Sequence, residues 1–502
     1  MISHLTDRVW TDDLSDRVGE RVQLKGWLHR LRRLAGVSFL ILRDAHGTAQ
    51  VVVQDPELVE RLARLQNESV LGVAGVVVAE PQAPGGVEIH DPAVTVISEA
   101  DDAPPFDLYR PVIKAQLPTI LDNAPVALRH PRRRAYFAIQ AASMAGFRGA
   151  LHDLGFTEIQ TPKIVGSATE SGATTFALDY FGKTAYLAQS PQFYKQVMVG
   201  VFERVYEVGP VFRAEPHDTA RHINEYVSLD AEMGFIENEY TVMGVLTAAI
   251  SGMLAAIERD APGALSLLGL ELPTVPQPIP DIHFLDAQAM ITAATGEDLS
   301  NEPDLSPGNE RWLGEWAKRE HGSDFLFVRG FPMSKRPFYT HPDPEKPGFA
   351  AGFDLLFRGM ELVTGGQRLH RYQDYVDALV ARGEDPENYA AYLMAFQHGM
   401  PPHGGFAIGL ERWVAQLVDA PNVRETTLFP RDLNRLAPCP GVTCGGETAC
   451  PAGNPLRWCR AREPGILPWR SRRRRGAVRA CRRRRGSGAS RPRAPSSGGR
   501  GR

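Results

Sequence analysis

Residues 204–235, RVYEVGPVFRAEPHDTARHINEYVSLDAEMGF, hold two strand-like runs separated by a loop dense in charge. Side chains of a strand alternate between its two faces. In the second run Val227, Leu229, Ala231 and Met233 therefore share one face, and Ser228, Asp230 and Glu232 share the other. Two acids on one face are costly inside an apolar core, so that face is expected to meet solvent or a polar site. The loop places Arg213, Arg221, His217 and His222 beside Glu215 and Asp218. Arg213 and Glu215 stand two apart and are read as sharing one strand and pointing the same way. Arginine can neutralise a phosphate, and glutamate can accept from an exocyclic amine. The stretch is either a solvated hairpin tip or a grip on a polyphosphate and a base.

The rest of the chain narrows the choice. Its 502 residues allow two or three domains. No run of about 18 apolar residues occurs, and the N-terminus has no apolar leader core, so a cytoplasmic address is expected. Charge is unevenly spread. Residues 439–502 hold 17 Arg, no Lys and only two acids, Glu447 and Glu463, a net +15. The other 438 residues keep 39 of the 56 basic and 57 of the 59 acidic residues, a net −18. Such an acidic body excludes bulk electrostatic capture of nucleic acid, so any such contact must come from local basic patches. All five cysteines follow residue 438, which excludes a disulfide framework in the body.

Residues 1–103 read as a small β-domain. Five runs, RVQLKGWLHRL, VSFLILRD, TAQVVVQ, LGVAGVVVAE and VEIHDPAVTVIS, are rich in β-formers, with one helix, DPELVERLARLQ, among them. Five strands and a helix at this length suit a closed OB-fold barrel. Segment 104–125 is proline-rich and is expected to be an extended hinge. Residues 126–438 are expected to form one α+β domain, an antiparallel sheet flanked by helices. Its first helix carries Phe137, Met144, Phe147 and Leu151 at helical spacing.

Two motifs are set aside. FGKT (181–184) lacks the upstream glycine of a phosphate-binding loop, since Ala177 stands there. PMSKRP (332–337) has no partner signature for the lysine loop that it faintly resembles. Four other stretches share a theme. QSPQFYKQ (189–196) sets Gln189, Ser190, Gln192 and Lys195 among apolar neighbours, and only Ser and Pro are explained by a helix start. The second is the opening loop. In GFDLLFRGMELVTGGQRLHR (352–371) an Arg358-Gly359 turn would bring Asp354 near Glu361, and carboxylates around nucleotide phosphates imply Mg²⁺. In GGFAIGLERWVAQLV (404–418) a glycine-rich strand runs into a helix with Arg412 at the junction, an arrangement suited to anions.

Together these stretches resemble the class II aminoacyl-tRNA synthetases. Pro162 closes what looks like motif 1, FRAE…RHINEY looks like motif 2, and GLER looks like motif 3. Within the class the chain resembles the archaeal-type aspartyl-tRNA synthetases over about residues 18–438. The resemblance implies roles. Arg213 would hold the ATP α-phosphate and the aspartate carboxylate, Glu215 would read adenine, and Tyr226 would pack on it. Arg221 and His222 would meet the distal phosphates and Arg412 the γ-phosphate. Ala214, Ile223, Gly409, Leu410 and Glu411 would complete the nucleotide's surroundings. Glu361, Asp354 and Thr364 would hold Mg²⁺. Lys195 and Arg368 would bind the substrate's side-chain carboxylate, Gln192 would assist, and Asp230 would orient Arg368. Glu170 lies in what looks like a mobile lid. Aspartate is preferred to asparagine because a neutral ligand would leave the Lys195 charge uncompensated. Arg213, Arg412 and Glu361 would carry catalysis by positioning and charge neutralisation.

The barrel resembles the family's anticodon-binding domain, where Phe39 would stack on a base and Gln50 would hydrogen-bond one. His29 and Pro84 lie where the family sets the choice between tRNA(Asp) and tRNA(Asn). They look like the relaxed version, implying an enzyme that charges both and an amidotransferase partner downstream. The motif 1 resemblance implies a homodimer. The alternatives are an enzyme for tRNA(Asp) alone, a paralogue making a free amino-acid product, and a non-catalytic tRNA-binding paralogue. The Arg-rich tail 439–502 is expected to be disordered. It is either a basic RNA-binding arm or the product of a shifted reading frame, and the abrupt change of composition favours the second.

Overall fold

The computed structural model describes residues 8–166 and 174–438, so the expectations for Glu170 and for the tail lie outside the described residues. The N-terminal strands β1 (Arg21–Leu34), β2 (Val37–Arg43), β3 (Thr48–Val53), β4 (Val70–Ala79) and β5 (Val87–Ser98) close into a barrel in the order β1-β2-β3-β5-β4. Alternation fills it: Leu40 and Leu42 of β2 point inward with Val51 and Val53 of β3. Helix α1 (Pro56–Ala63) packs Leu58 and Leu62 onto this core. It starts sharply because Asp55 accepts the Glu57 amide at 3.0 Å and Pro56 needs no partner for an amide hydrogen.

The hinge departs from expectation. Its second half folds into α2 (Leu117–Asp122) and α3 (Ala124–Ala127), each with a proline in the first turn. Proline breaks a helix interior but suits its start, so Pro118 and Pro125 permit helices here. Leu108, Ile113, Ile120 and Ala127 form a small core of their own. Arg134 donates to the carbonyls of Asp44, at 2.8 Å, and Ala45, and Arg43 donates to that of Arg129, which ties the barrel to the following domain.

That domain opens with α4 (Pro131–Asp153), β6 (Thr157–Glu158) and a three-stranded sheet of β7 (Ile164–Val165), β8 (Ala177–Tyr180) and β9 (Lys183–Leu187). There follow α5 (Gln192–Phe202), β10 (Arg204–Phe212), β11 (Glu225–Gly234), α6 (Glu239–Asp260), α7 (Pro262–Leu268), β12 (Asp281–His283), α8 (Phe284–Thr295) and α9 (Pro307–His321). The chain continues through β13 (Phe325–Arg329), β14 (Gly352–Phe357), β15 (Met360–Arg368), α10 (Tyr372–Ala381), α11 (Ala390–Gln397), β16 (His403–Gly409) and α12 (Leu410–Leu417). Eight strands form the main sheet in the order β12-β13-β14-β15-β16-β11-β10-β6. The interior is antiparallel as expected, but β12 and β6 join its edges in parallel, so the sheet is mixed.

One face of this sheet carries the core. Leu229 and Ala231 pack with Phe353, Phe406 and Ile408 against α4 and α6. Helix α6 is long and apolar enough to cross a bilayer, yet Leu246, Ile250, Met253 and Ile257 lie in this core. In α4, Phe147 and Leu151 are core residues as read from the sequence, whereas Met144 is partly buried and Phe137 only half-buried.

The opposite face is polar and lined by small residues. Asp230 lies across from Ala407, Ala407 from Thr364, and Thr364 from Asp354. One row over, Glu232 lies across from Gly405, Gly405 from Gly366, and Gly366 from Gly352. A Cβ on Gly405 would stand 2.2 Å from Oε2 of Glu232, so the carboxylate occupies space that a side chain would take. Small residues on this face leave a hollow above the sheet.

Candidate active site

A cavity of about 410 Å³ opens over that polar face. It is lined by all four stretches singled out in the sequence, among them Gln192, Arg213, Tyr226, Arg368 and Arg412. A volume of this size accommodates a nucleotide-sized ligand.

At one end lies a sealed ionic cluster. Lys195 projects from α5 and is 1% exposed. Its Nζ donates to Oδ1 of Asp230 at 3.0 Å and to the carbonyl of Phe406 at 3.2 Å, and it lies 3.3 Å from Oε2 of Glu232. Arg368 Nε donates to Oε1 of Glu232 at 3.0 Å and Nη2 to the carbonyl of Gly405 at 3.0 Å. Two expectations change here. Glu232, and not Asp230, orients Arg368, because β11 places Asp230 beneath Lys195 and Glu232 one pleat further on. Lys195 also needs no ligand carboxylate to compensate it, since two cations and two carboxylates already balance. Burial alone would push the Glu232 carboxyl up, but Arg368, Lys195 and His403 together hold it below the usual range. Gln192 lines the same end, and its buried Nε2 has no hydrogen-bond partner among the described residues.

The middle of the cavity belongs to the opening loop. Strand β10 ends at Phe212, so Arg213 and Glu215 lie beyond it and not on it. Asn224 pins the turn: its carbonyl accepts the Arg213 amide at 2.9 Å, and its Nδ2 donates to the carbonyls of Arg213 at 2.7 Å and Glu215 at 3.2 Å. Arg213 still lines the cavity, with its guanidinium 5.8 Å from the Tyr226 ring centre. Glu215 faces His222, with Oε2 and Nε2 3.5 Å apart, and burial pushes that imidazole below its ordinary value. Ala214 does not line the cavity: its amide donates to the Thr174 carbonyl at 3.0 Å and its carbonyl accepts from the Thr174 hydroxyl. Leu410 is fully buried on the core side, since the first turn of α12 aims it there.

At the far end, Arg221 and Arg412 line the wall with Glu361 and Thr364. A bulge in β15 places Glu361 opposite Leu356, while Asp354 pairs with Thr364. The hairpin does bring the two carboxylates together: Thr364 Oγ1 donates to Oε1 of Glu361 at 3.0 Å, and Asp354 interacts with both Thr364 and Glu361. Burial raises the Asp354 carboxyl to about 6, with Arg336 opposing the rise and Glu361 adding to it. By geometry its Oδ1 is buried without a hydrogen-bond partner among the described residues. Glu411 is also a wall residue; it accepts the Val227 amide at 3.1 Å, and burial pushes its carboxyl up to about 7.

Three residues escaped the sequence reading. Glu232 was placed on the right face but given no role. Arg336 belongs to PMSKRP, which was dismissed; it pairs with Asp354 at 2.9 Å and lines the cavity. Glu310, on α9, touches the far end, and only its tertiary neighbours reveal that. In the barrel, Phe39 lies outside the core, half-buried, with Arg32 6.0 Å from its ring centre. Gln50 donates to Glu88 at 2.9 Å. Pro84 is exposed between β4 and β5. His29 differs from its neighbours: it stands at a bulge of β1 and is 8% exposed. Its Nδ1 is buried without a hydrogen-bond partner among the described residues, and burial, then Arg43 and His130, lower the imidazole to about 4.

An OB barrel joined to a helix-flanked sheet, with arginines at both ends of a cavity over that sheet, defines a class II aminoacyl-tRNA synthetase. Residues 116–433 match the family described as tRNA synthetases class II (D, K and N), and residues 22–97 match the OB-fold nucleic acid binding domain. The aspartate–tRNA(Asp/Asn) ligase of Thermus thermophilus is 47% identical over 86% of this chain and 100% of its own length. That of Deinococcus radiodurans is 45% identical over 86% of this chain and 99% of its own length. Among solved structures, the asparaginyl-tRNA synthetase of Pyrococcus horikoshii with asparaginyl-adenylate superposes with a TM-score of 0.80 at 30% identity, covering 86% of this chain and all of that one. The chain belongs to the class II tRNA synthetases of the D, K and N group. It is a ligase that uses ATP.

Proposed function

We propose that the chain is an aspartate–tRNA ligase that activates L-aspartate as aspartyl-adenylate and charges both tRNA(Asp) and tRNA(Asn). The observation that carries it is the joining of Lys195 and Arg368 with the Arg213–Arg221–Arg412 set in one cavity. A guanidinium offers donors only, so ligand atoms that face Arg368 must accept. A carboxylate has two accepting oxygens, whereas a carboxamide would turn its NH₂ toward a donor. Charging of both tRNAs is supported by the names of the relatives at 47% and 45% identity.

The chain's own part in the chemistry is electrostatic. A carboxylate oxygen of aspartate attacks the α-phosphorus, and pyrophosphate leaves. Arg213 would neutralise charge at the α-phosphate, and Arg221 and Arg412 would do so at the departing phosphates. The terminal hydroxyl of tRNA then takes the aspartyl group and AMP leaves. Asp354 and Glu361, with Thr364, fit a divalent cation: the orphaned Oδ1 of Asp354 and its raised carboxyl are both relieved by one. Among the described residues no group of three or more His, Cys, Asp or Glu is assembled to hold a metal, so ATP phosphates would complete the shell. Mg²⁺ bound there would neutralise phosphate charge.

The test is aspartate-dependent ATP–pyrophosphate exchange, followed by charging of tRNA(Asp) and tRNA(Asn) transcripts. Exchange with aspartate and not asparagine, with both tRNAs charged, is expected. Charging of tRNA(Asp) alone would reject the reading of His29 and Pro84. No exchange by folded protein would leave a tRNA-binding paralogue. We also propose a homodimer, to be checked by sedimentation, a cytoplasmic address, and an amidotransferase that converts Asp-tRNA(Asn).

A further inference from the structure

Helix α9 brings a carboxylate to the phosphate end of the cavity. Glu310 lies one turn into the helix and is 8% exposed. Its Oε2 accepts the backbone amide of Glu361 at 3.0 Å and lies 3.6 Å from Nη1 of Arg221. The carbonyl of Glu361 accepts from Nη1 of Arg412 at 3.2 Å. Both backbone polar groups of Glu361 are thus held by charged side chains from other elements.

The placement of α9 is built in. A Cβ on Gly314 would stand 2.5 Å from the Cα of Gly359, so the helix lies directly on the turn that leads into β15. The first turn of α9 is closed by reciprocal bonds: the Asn309 amide to Ser306 Oγ at 3.2 Å, and the Ser306 amide to Asn309 Oδ1 at 2.9 Å. Glu310 follows directly and is aimed by that cap at the bulge where Glu361 sits.

We infer that Glu310 is a positioning residue for the distal phosphates of the nucleotide. It holds Arg221 toward Glu361 and Arg412, and it holds the Glu361 backbone in place at the bulge. This rests on the ATP reading above. The two tasks separate chemically. Glutamine keeps an accepting oxygen for the Glu361 amide but loses the charge that faces Arg221. Alanine loses both.

The experiment is equilibrium titration of the full chain with ATP and with AMP, each with and without Mg²⁺, for wild type, Glu310→Gln and Glu310→Ala. AMP lacks the phosphates that Glu310 would serve. Glu310→Gln is expected to weaken ATP binding about threefold, the size of a partly exposed ion pair, and to leave AMP binding unchanged. Glu310→Ala is expected to weaken ATP binding about tenfold by also stranding a buried amide, and to shrink the gain from Mg²⁺. Should the alanine variant fail to fold, the glutamine variant still decides. Equal losses for ATP and AMP, or unchanged ATP binding in Glu310→Gln, would overturn the inference alone. Wild type that binds neither nucleotide would overturn the ATP reading, and the inference with it.

Discussion

The two ends of the cavity handle charge in opposite ways. At the end proposed to hold the amino acid, Lys195, Asp230, Glu232 and Arg368 have side chains between 0 and 8% exposed and are paired among themselves. At the end proposed to hold the phosphates, Arg221 is 29% exposed and His222 35%, and burial raises the Asp354 carboxyl to about 6. The first end is already paired within the protein. The second is more open to solvent, and on the reading proposed above nucleotide and cation would complete it. A mutation should therefore cost stability at the first end and ligand affinity at the second.

The largest effect should come from Glu232→Gln. It leaves two buried cations over one carboxylate, which should cost about 3–5 kcal/mol of stability and nearly abolish aspartate-dependent exchange. A wild-type urea midpoint would break the picture of a sealed cluster. Next is Glu411, whose carboxyl is raised from 4.5 to about 7 in the folded state. Its contribution to stability is fully present below about pH 4.5 and is lost as pH rises through about 7, on the order of 3 kcal/mol in all. The unfolding free energy of wild type minus that of Glu411→Gln should fall by that much across this window, and a flat difference would refute it. In the barrel, Phe39→Ala should cost about 1–3 kcal/mol of tRNA binding by losing a stacked base, so charging should fall far more than exchange. The smallest effect sharpens the contrast. Arg33 and Glu60 are 2.6 Å apart but 55 and 59% exposed, so Glu60→Gln should shift stability by less than about 1 kcal/mol, read from the same urea curves.

Much of the fold was readable without coordinates. The five barrel strands follow from alternation, and the polar face of β11 from the placement of Ser228, Asp230 and Glu232. Local chemistry marked Arg213 by its spacing from Glu215 in a charge-dense loop, Glu361 by the Arg358-Gly359 turn before it, and Arg412 by its place at a strand–helix junction. The misses share a cause. Prolines in the hinge were read as breakers because their position within a turn was unknown. Leu410 was grouped with its sequence neighbours, although a helix turns adjacent residues to different sides.

The sequence by itself determined that Ser228, Asp230 and Glu232 share one face of a strand and the apolar residues between them the other, since period-two alternation is local. Only the tertiary structure decided their partners. That Lys195 meets Asp230 while Glu232 takes Arg368 depends on the register of β11, β16 and β15 and on the height of α5 above them. That His29 is buried depends on a bulge, that Arg336 reaches Asp354 depends on a loop, and that Glu310 reaches Glu361 depends on how closely Gly314 lets α9 approach Gly359. These are contacts between segments distant in the chain, and side-chain pairing there follows from packing that no single segment encodes.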